Sequence, residues 1–430
     1  AGTVVEAILP SLAGKSAKSV DVIVKKSPSM KQALSISKPV PSENNITYMS
    51  WTNVQVPSIY VLFGESQLYD VRLSYNLKNP KLTSASMDIA LPPETLYQSI
   101  YVRDLKPQPE SVYLDDDGNY IARYNLGGRE EKQIFFDGLV QVYVKPQQDM
   151  ASYMTSQIES QKAYLLQPST HWNIGEFIQT EPLPQVKSVS DIYKYVVDTL
   201  DYSYQRVSED VMRLGASKAF SNPQAAVCTE FTDSFVALAR EKGIMAREIQ
   251  GYGFSQDAKL LPISLETDVL HAWPEFYDGT TGLWRQVDPT WEDTSGIDYL
   301  TGFDVNHIAF VIHGKSSQYP LSAGMYKTKD SRDIQVSISG DTPSRTYQGE
   351  VTDTLEYSIV EQKKYTASIT VKNMSNVFVK NRVVSLLSDS MTVSPASMTV
   401  DLLAPYQART FTVSYEIPAK GRRSSDLTLK

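Results

Sequence analysis

Cysteine and histidine are scarce in this chain. Its 430 residues include one cysteine and four histidines. A single cysteine excludes an intrachain disulfide framework, and it also excludes a zinc site built from several thiolates. We assign no residue to a metal site and predict no cofactor, and a calcium requirement stays open.

Long basic runs and long apolar runs are missing as well. Lysine and arginine number 41 against 49 aspartates and glutamates, so we expect no nucleic-acid partner. No stretch approaches the roughly 18 consecutive apolar residues that a membrane helix needs. What the chain does have is an apolar fraction of 41% with 10% aromatics, enough for buried cores. At roughly 100–200 residues per domain, the length predicts two to four domains.

The two ends of the sequence bear on location. The chain opens at Ala1 without an initiator methionine, and it stops at Lys430, soon after Arg422 and Arg423. A removed signal peptide and a removed membrane anchor would explain both ends, although simple trimming would explain them too. We expect an extracellular or cell-surface protein, with attachment to the surface as one option.

The pattern of the first 150 residues is that of strands. Residues 1–45 are rich in serine, lysine and proline and predict a loosely structured arm, with one strand at Val20–Val24. From residue 46 to residue 150 the hydrophobic period is two, as in the alternation that runs from Tyr69 to Leu77. Short strands separated by regular turn signals predict an antiparallel β-sandwich for 46–150.

A different pattern occupies residues 151–335. One helix is predicted from Ser190, placed as its cap, and a second from Cys228 to Lys242 with Gly243 just beyond it. Strand-like segments follow at 244–254, 270–277 and 284–288. Helices followed by a sheet predict an α+β domain. From residue 336 to residue 430 the period of two returns and predicts an Ig-like β-sandwich.

Cys228 lies where a reactive thiol would be useful. It stands at the start of the second predicted helix, where unpaired backbone N–H groups and the helix dipole stabilise a thiolate. Taken alone, the position is weak evidence, because a lone cysteine is most often a small buried hydrophobic residue.

His271 and Asp288 supply the other parts of a catalytic arrangement. If Tyr277 pairs with Trp284 across the turn, His271 lies one diagonal step from Asp288, within reach of a hydrogen bond. A nucleophile, a base and a group that orients the base form a triad for covalent acyl transfer. Separately, His271 could be a structural histidine and Asp288 part of an Asp-Pro turn.

Four blocks of sequence occur in the order typical of one family. They are Cys228, Gly243-Ile-Met-Ala-Arg247 with Gly251-Tyr252, His271-Ala-Trp-Pro-Glu275, and Trp284-Arg-Gln-Val-Asp-Pro-Thr290. Over about residues 185–300 the chain resembles the transglutaminase-like superfamily, a branch of the papain-like cysteine fold, in its bacterial and archaeal multidomain type. The resemblance implies an α+β papain-like transglutaminase core, flanked by an N-terminal antiparallel β-sandwich and a C-terminal Ig-like β-sandwich.

The same resemblance implies roles for individual residues. Cys228 is expected to be the nucleophile, His271 the base and later the acid, and Asp288 the orienting group. Two positions depart from the family pattern: Ala226 replaces a frequent glycine, and Met245 replaces a proline. The departure at Ala226 leaves the backbone approach to the thiol open.

The surroundings of the triad are less well defined by the sequence. We expect Trp273, Tyr252 and Gln224 to contact substrate. The oxyanion donor stays open between the backbone N–H of Cys228 and the side chains of Gln224 and Asn222. His307 and His313 are expected at the edge of the core, with a supporting role as the alternative.

The expected reaction is acyl transfer from an amide of a protein or peptide through a thioester. An amine acceptor would give a crosslink, and water would give a peptidase or amidase. The sequence does not choose between these outcomes. A catalytically inert surface-binding or scaffold protein built on the same domains is the alternative from another class.

Overall fold

A computed structural model describes most of the chain beyond its N-terminal segment. It covers residues 65–180, 185–207, 212–255, 270–326, 332–345, 349–361, 364–387, 392–416 and 428–429. Before residue 65 it gives the backbone of residues 3–7, 22–25, 35–36, 40–41, 47–52 and 60–63. The chain is mixed α/β and has more strand than helix.

The chain divides into two compact units. The first contains residues 1–67, 142–308 and 314–317, and the second contains residues 68–141, 309–313 and 318–430. The expected division into an arm at 1–45, sandwiches at 46–150 and 336–430 and a core at 151–335 stays a prediction.

All helices of the described residues lie in the first unit. The α-helices are Gln148–Leu165, Gly175–Thr180, Val189–Thr199, Ala216–Ser221, Cys228–Glu241 and Pro289–Ser295, with 3₁₀ turns at Tyr204–Arg206 and Pro223–Ala225. No helix in this described part is long and apolar enough to cross a membrane.

The cysteine helix, Cys228–Glu241, is the centre of the first unit. Its Phe231, Phe235 and Leu238 are fully buried in the same apolar cluster, and every residue from Glu230 to Arg240 is buried. The helix ends as expected, because Gly243 adopts a positive φ of 77° that a larger side chain would resist.

The helix predicted from Ser190 exists, but its cap was assigned to the wrong serine. The helix runs from Val189 to Thr199, and Ser188 is the residue that caps it. The Ser188 hydroxyl accepts from the Asp191 N–H at 3.1 Å, and the Asp191 carboxylate accepts from the Ser188 N–H at 3.0 Å. This reciprocal capping box needs an acidic residue three positions after the cap, which Ser188 has in Asp191.

Three antiparallel strands lie beside the cysteine helix. The histidine strand, His271–Asp278, pairs with Ala246–Gly253 on one side and with Leu283–Gln286 on the other. The expected pairing of Tyr277 with Trp284 is confirmed. The third strand is shorter than expected, because it ends at Gln286 and Asp288 begins the next helix instead.

The remaining strands of the first unit are short. In residues 1–45 the structure shows strands at Thr3–Ala7, Val22–Lys25, Ser35–Ile36 and Val40–Pro41, which pair with Thr47–Thr52 or Tyr60–Phe63. The expectation of a single strand is therefore wrong for these residues, while their description as an arm stays a prediction. The strand predicted at Val20–Val24 corresponds to Val22–Lys25, and Val20 itself lies outside the described residues. The strand His307–His313 begins in the first unit.

The second unit is built from strands. One sheet contains Ser111–Leu114, Tyr120–Leu126 and Ala85–Leu91. A second sheet contains Ile334–Ile338, Ser66–Lys78, Glu131–Tyr143 and Gln98–Lys106. A third sheet contains Gly349–Glu361, Lys364–Asn373, Ala408–Glu416 and Thr392–Ser394. A fourth sheet contains Ser397–Leu403, Val379–Leu387 and Thr428–Leu429. The alternation from Tyr69 to Leu77 is confirmed as alternating burial. The assignment of these sheets to sandwiches stays a prediction.

Candidate active site

Cys228 is the first residue of the cysteine helix, and its side chain is half-buried. Its thiol donates a long hydrogen bond, 3.9 Å, to the carbonyl oxygen of Leu270. Leu270 is the residue before His271, so the thiol lies beside the start of the histidine strand. The sole cysteine is thus partly open to solvent and close to a histidine.

A buried carboxylate fixes the turn that presents the thiol. Glu230 accepts from the N–H of Val227 at 3.0 Å and from the N–H of Leu214 at 2.8 Å. The Arg206 guanidinium lies 3.3 Å from the same carboxylate and also donates to the Ala225 carbonyl oxygen. Because Glu230 is completely buried, these bonds hold the backbone just before Cys228 in one conformation.

His271 is buried and oriented by Asp288. Its Nε2 lies 2.9 Å from Asp288 Oδ2, while Nδ1 has no hydrogen-bond partner within the described residues. Burial alone lowers the pKa of His271, but the Asp288 carboxylate and then the neighbouring Cys228 side chain outweigh it, so the pKa lies above 6.5. The imidazole is therefore arranged to take a proton at Nδ1.

Asp288 has two structural functions at once. Its Oδ1 accepts from the backbone N–H groups of Thr290 and Trp291, both at 3.0 Å, and so caps the helix Pro289–Ser295. Its Oδ2 faces His271. Burial opposes ionisation, but His271 and then His307 outweigh it and hold the pKa of Asp288 well below its usual range. Asp288 is therefore a fixed negative charge beside the imidazole.

Aromatic rings confine the imidazole of His271. Trp291 stacks on it with ring centroids 4.7 Å apart and planes 14° apart, and Trp273 lies at 5.8 Å and 25°. Both tryptophans are completely buried. Stacked neighbours leave the ring little freedom to rotate, so the hydrogen bond to Asp288 keeps one orientation.

The other residues predicted from sequence lie at different depths. Trp273 is buried next to His271, Tyr252 is half-buried on the neighbouring strand, and Gln224 is exposed on the 3₁₀ turn before the cysteine helix. Substrate contact by these three residues stays a prediction. Ala226 is fully buried, and its carbonyl oxygen accepts from the Ser203 N–H at 2.7 Å, so the turn accommodates alanine there.

His307 belongs to the site, although the sequence placed it at the edge of the core. Its Nε2 lies 3.0 Å from Asp288 Oδ2, and its Nδ1 lies 2.7 Å from Asp304 Oδ1. The only sequence signal was the spacing of three residues between Asp304 and His307. His313, by contrast, bonds the carbonyl oxygen of Pro320 through Nε2 at 2.7 Å.

His271, Asp288 and His307 also form a set of residue types that can bind a metal ion. Their nearest ligand atoms all lie within 4.8 Å of one another. However, Asp288 Oδ2 is 2.9 Å from one imidazole nitrogen and 3.0 Å from the other, which are hydrogen-bond distances. The three side chains therefore pair directly with one another through hydrogen bonds, without an ion between them.

Comparison with known proteins identifies the domain that carries these residues. Residues 174–289 match the family model of the transglutaminase-like superfamily, whereas no curated protein matches the chain. A proposed cysteine protease from Cytophaga hutchinsonii is 15% identical, with a TM-score of 0.37 over 64% of this chain and 99% of its own. The periplasmic domain of TgpA from Pseudomonas aeruginosa is 14% identical, with a TM-score of 0.27 over 53% of this chain and 91% of its own.

Cys228, His271 and Asp288 all lie within the matched residues. The chain thus contains, at residues 174–289, a domain of the transglutaminase-like superfamily.

Proposed function

We propose that the chain is a cysteine acyltransferase or peptidase that acts on amide bonds of proteins or peptides. The observation that carries the proposal is the convergence of three side chains. A half-buried thiol at a helix start lies beside a buried histidine, and a buried carboxylate bonds the far nitrogen of that histidine at 2.9 Å. This is the geometry of a nucleophile, a base and an orienting group.

The first half of the proposed reaction forms a thioester. The Cys228 thiol gives its proton to His271 Nδ1, and the thiolate sulfur attacks the carbonyl carbon of the amide. The tetrahedral intermediate collapses as the C–N bond breaks, and the proton on Nδ1 passes to the departing amine. Asp288 stabilises the imidazolium while it carries that proton.

The second half releases the acyl group. Water or a primary amine gives a proton to His271 Nδ1 and attacks the thioester carbonyl. The C–S bond breaks, and the sulfur takes back the proton to restore the thiol. An amine acceptor produces a new amide, and water produces a carboxylic acid.

The reactivity of the thiol tests the proposal. Because the chain has one cysteine, any alkylation by iodoacetamide reports on Cys228 alone. A free thiol reacts with a midpoint near pH 8.5, so we measure the rate from about pH 5 to pH 9. We expect the wild type to be alkylated faster than His271→Ala in the lower part of this range, because the imidazole of His271 takes the proton of the thiol.

The matched control is His171→Ala, which removes a half-buried histidine of the same unit that bonds Ser317 at 3.0 Å. It should leave the profile unchanged. A midpoint near pH 8.5 in the wild type, unaltered in His271→Ala, would refute the activated nucleophile and favour the inert scaffold.

The acceptor is determined with a glutamine peptide and a labelled primary amine. Incorporation of the label establishes transfer, and release of ammonia or a new amino terminus without label establishes hydrolysis. If the thiol is reactive but neither product forms, the proposal that the substrates are amides is wrong. An extracellular or cell-surface location stays a prediction, which cell fractionation tests.

A further inference from the structure

His307 is a buried histidine that bonds a carboxylate through each of its ring nitrogens. Nε2 lies 3.0 Å from Asp288 Oδ2, and Nδ1 lies 2.7 Å from Asp304 Oδ1. An ionised carboxylate only accepts hydrogen bonds, so a ring placed between two of them must donate from both nitrogens. A histidine with two N–H groups is an imidazolium.

The two carboxylates are each in surroundings that suit the ionised form. Besides the histidines, Asp288 accepts two backbone N–H bonds at the start of its helix. Asp304 accepts from the Tyr299 hydroxyl at 2.8 Å and from the Asn306 N–H at 2.9 Å. Several donors aimed at one carboxylate favour its charge, so the proton of each bond belongs to the ring of His307.

Aromatic rings enclose the same imidazole. The centroids of Phe303, Trp291, Trp273 and Tyr299 lie 4.3, 4.4, 4.9 and 5.9 Å from that of His307. The ring quadrupole of an aromatic side chain attracts a cation within about 6 Å. Burial alone lowers the pKa of His307, but Asp304 and then Asp288 outweigh it and raise the pKa above 6.5.

We propose that His307 is a positioning residue whose permanent imidazolium bridges Asp288 and Asp304, holds the Asp288 carboxylate toward His271, and offsets part of its negative charge. The proposal rests on the function proposed above, since it assigns a role within the same site. His307 and Asp304 lie beyond the residues that match the family model.

The offset of charge has a measurable consequence. The ring centroids of His271 and His307 are 5.4 Å apart, so a charge on His307 opposes a second charge on His271. Without His307, Asp288 would act on His271 alone and would hold its proton to higher pH. The titratable groups that act on His271 are Asp288 and Cys228, and those that act on His307 are Asp304 and Asp288, with the ring of Tyr299 against His307. Further out, Tyr202 lies near Cys228 and Glu292 lies near Asp288.

Histidine NMR tests the charge directly, because the chain has only four histidines. In protein with ¹⁵N-labelled histidine, each ring is assigned by substitution. Both nitrogens of His307 should remain protonated across about pH 6–9, a range in which an ordinary histidine with a pKa near 6.5 loses a proton. A His307 that titrates near 6.5 would overturn the proposal.

Substitution of His307 tests its effect on His271. In His307→Gln the titration midpoint of His271, followed by the same NMR measurement, should move upward by about 1–2 pH units. The control is His313→Gln, which removes a buried histidine from the same strand and should leave that midpoint unchanged. An unchanged His271 midpoint in His307→Gln would refute the offset.

A second variant keeps the test valid if His307→Gln folds poorly. Asp304→Asn retains an acceptor for Nδ1 but removes one charge, so His307 should begin to titrate within the same range. Elemental analysis of the purified protein is the last readout. One zinc per chain, lost in His307→Gln, would overturn the bridge and make His307 a ligand.

These results separate the two proposals. If the His271→Ala profile equals that of the wild type, the proposed function fails, whereas the NMR result on His307 still decides its charge. If the thiol depends on His271 but the His271 midpoint in His307→Gln equals that of the wild type, only the role of His307 fails.

Discussion

Asp288→Asn separates the two functions of Asp288, because asparagine preserves one of them. The side-chain oxygen of asparagine can still accept from the N–H groups of Thr290 and Trp291, since asparagine is a good helix cap. The asparagine side chain, however, has no negative charge to attract His271 and His307, whose Nε2 atoms lie 2.9 and 3.0 Å from the carboxylate of Asp288. Asp288→Ala removes both functions.

The stability effect follows from the burial of all three groups. Removing one partner of a buried ion pair typically costs about 3–5 kcal/mol, because a charge is left uncompensated. Losing a helix cap costs about 1 kcal/mol more. We therefore expect Asp288→Asn to lose about 3–5 kcal/mol of unfolding free energy at pH 7, and Asp288→Ala about 1 kcal/mol beyond that.

The pH dependence of this loss has a definite sign. The pKa of Asp288 is depressed in the folded protein, so its charge contributes stability above the unfolded value of about 3.9, and that contribution disappears as pH falls through the folded value. The stability gap between wild type and Asp288→Asn should be full near pH 7 and shrink in acid. Urea unfolding at several pH values measures it.

The effect on chemistry should exceed the effect on stability. Without the carboxylate, burial lowers the pKa of His271, and the ring no longer holds a proton next to the thiol. General acid–base catalysis typically contributes about 10²–10⁴-fold, so amide turnover by folded Asp288→Asn should fall by that factor. Equal stabilities of the asparagine and alanine variants, or wild-type turnover in Asp288→Asn, would refute this division of roles.

Two further predictions concern buried carboxylates near the site. Burial raises the pKa of Glu292 to about 7 from 4.5, so its ionisation opposes folding by about 3 kcal/mol. The stability that this group contributes is present below about pH 4.5 and is lost as pH rises through 7. The stability of Glu292→Gln relative to the wild type should therefore increase between pH 5 and pH 8 in thermal unfolding. A difference that stays constant with pH would contradict this prediction. Arg247 and Glu275 form a buried pair at 2.6 Å, so Arg247→Met should lose about 3–5 kcal/mol in urea unfolding. The double variant Arg247→Met/Glu275→Met should recover much of the lost unfolding free energy. If it recovers none, Arg247 stabilises the fold through its contact with Trp284 instead.

The pair of Arg247 and Glu275 also explains why the sequence blocks were informative. The two residues lie in different motifs, and they face each other in the strand register. Arg247 in addition lies over the ring of Trp284, 4.0 Å from its centroid, in a third motif. These motif residues hold three strands together, while His271 and Asp288 are the residues to which we assign the proposed chemistry.

Strand periodicity was enough to predict the contact of His271 with Asp288. Once Tyr277 is paired with Trp284, the alternation along the histidine strand determines which residues share a face. The strand periodicity alone did not show that Asp288 starts a helix, although Pro289 at the first helical position is a sequence signal of such a start.

The role of His307 could not be read from periodicity. The strand His307–His313 is buried throughout, so no alternation marks a special face. Its position is fixed by tertiary pairing, since Phe254 at the end of the neighbouring strand donates to the carbonyl oxygen of Asn306 at 2.7 Å. The contact of His307 with Asp288 joins residues 19 positions apart, one at a strand start and one at a helix start, and the sequence pattern of neither element predicts it.

The charges buried in the site explain why His271 can hold its proton. With Asp288 and Asp304 ionised and His307 positive, the cluster carries one net negative charge whether the mobile proton lies on Cys228 or on His271. Moving that proton between sulfur and imidazole therefore changes no net charge, whereas losing it to solvent raises the net charge of the cluster from one negative unit to two. Burial disfavours the second outcome, since uncompensated charge is costly away from water. In the proposed mechanism the site thus retains the proton that a departing amine would need, and the proposed charge on His307 limits how strongly that proton is retained.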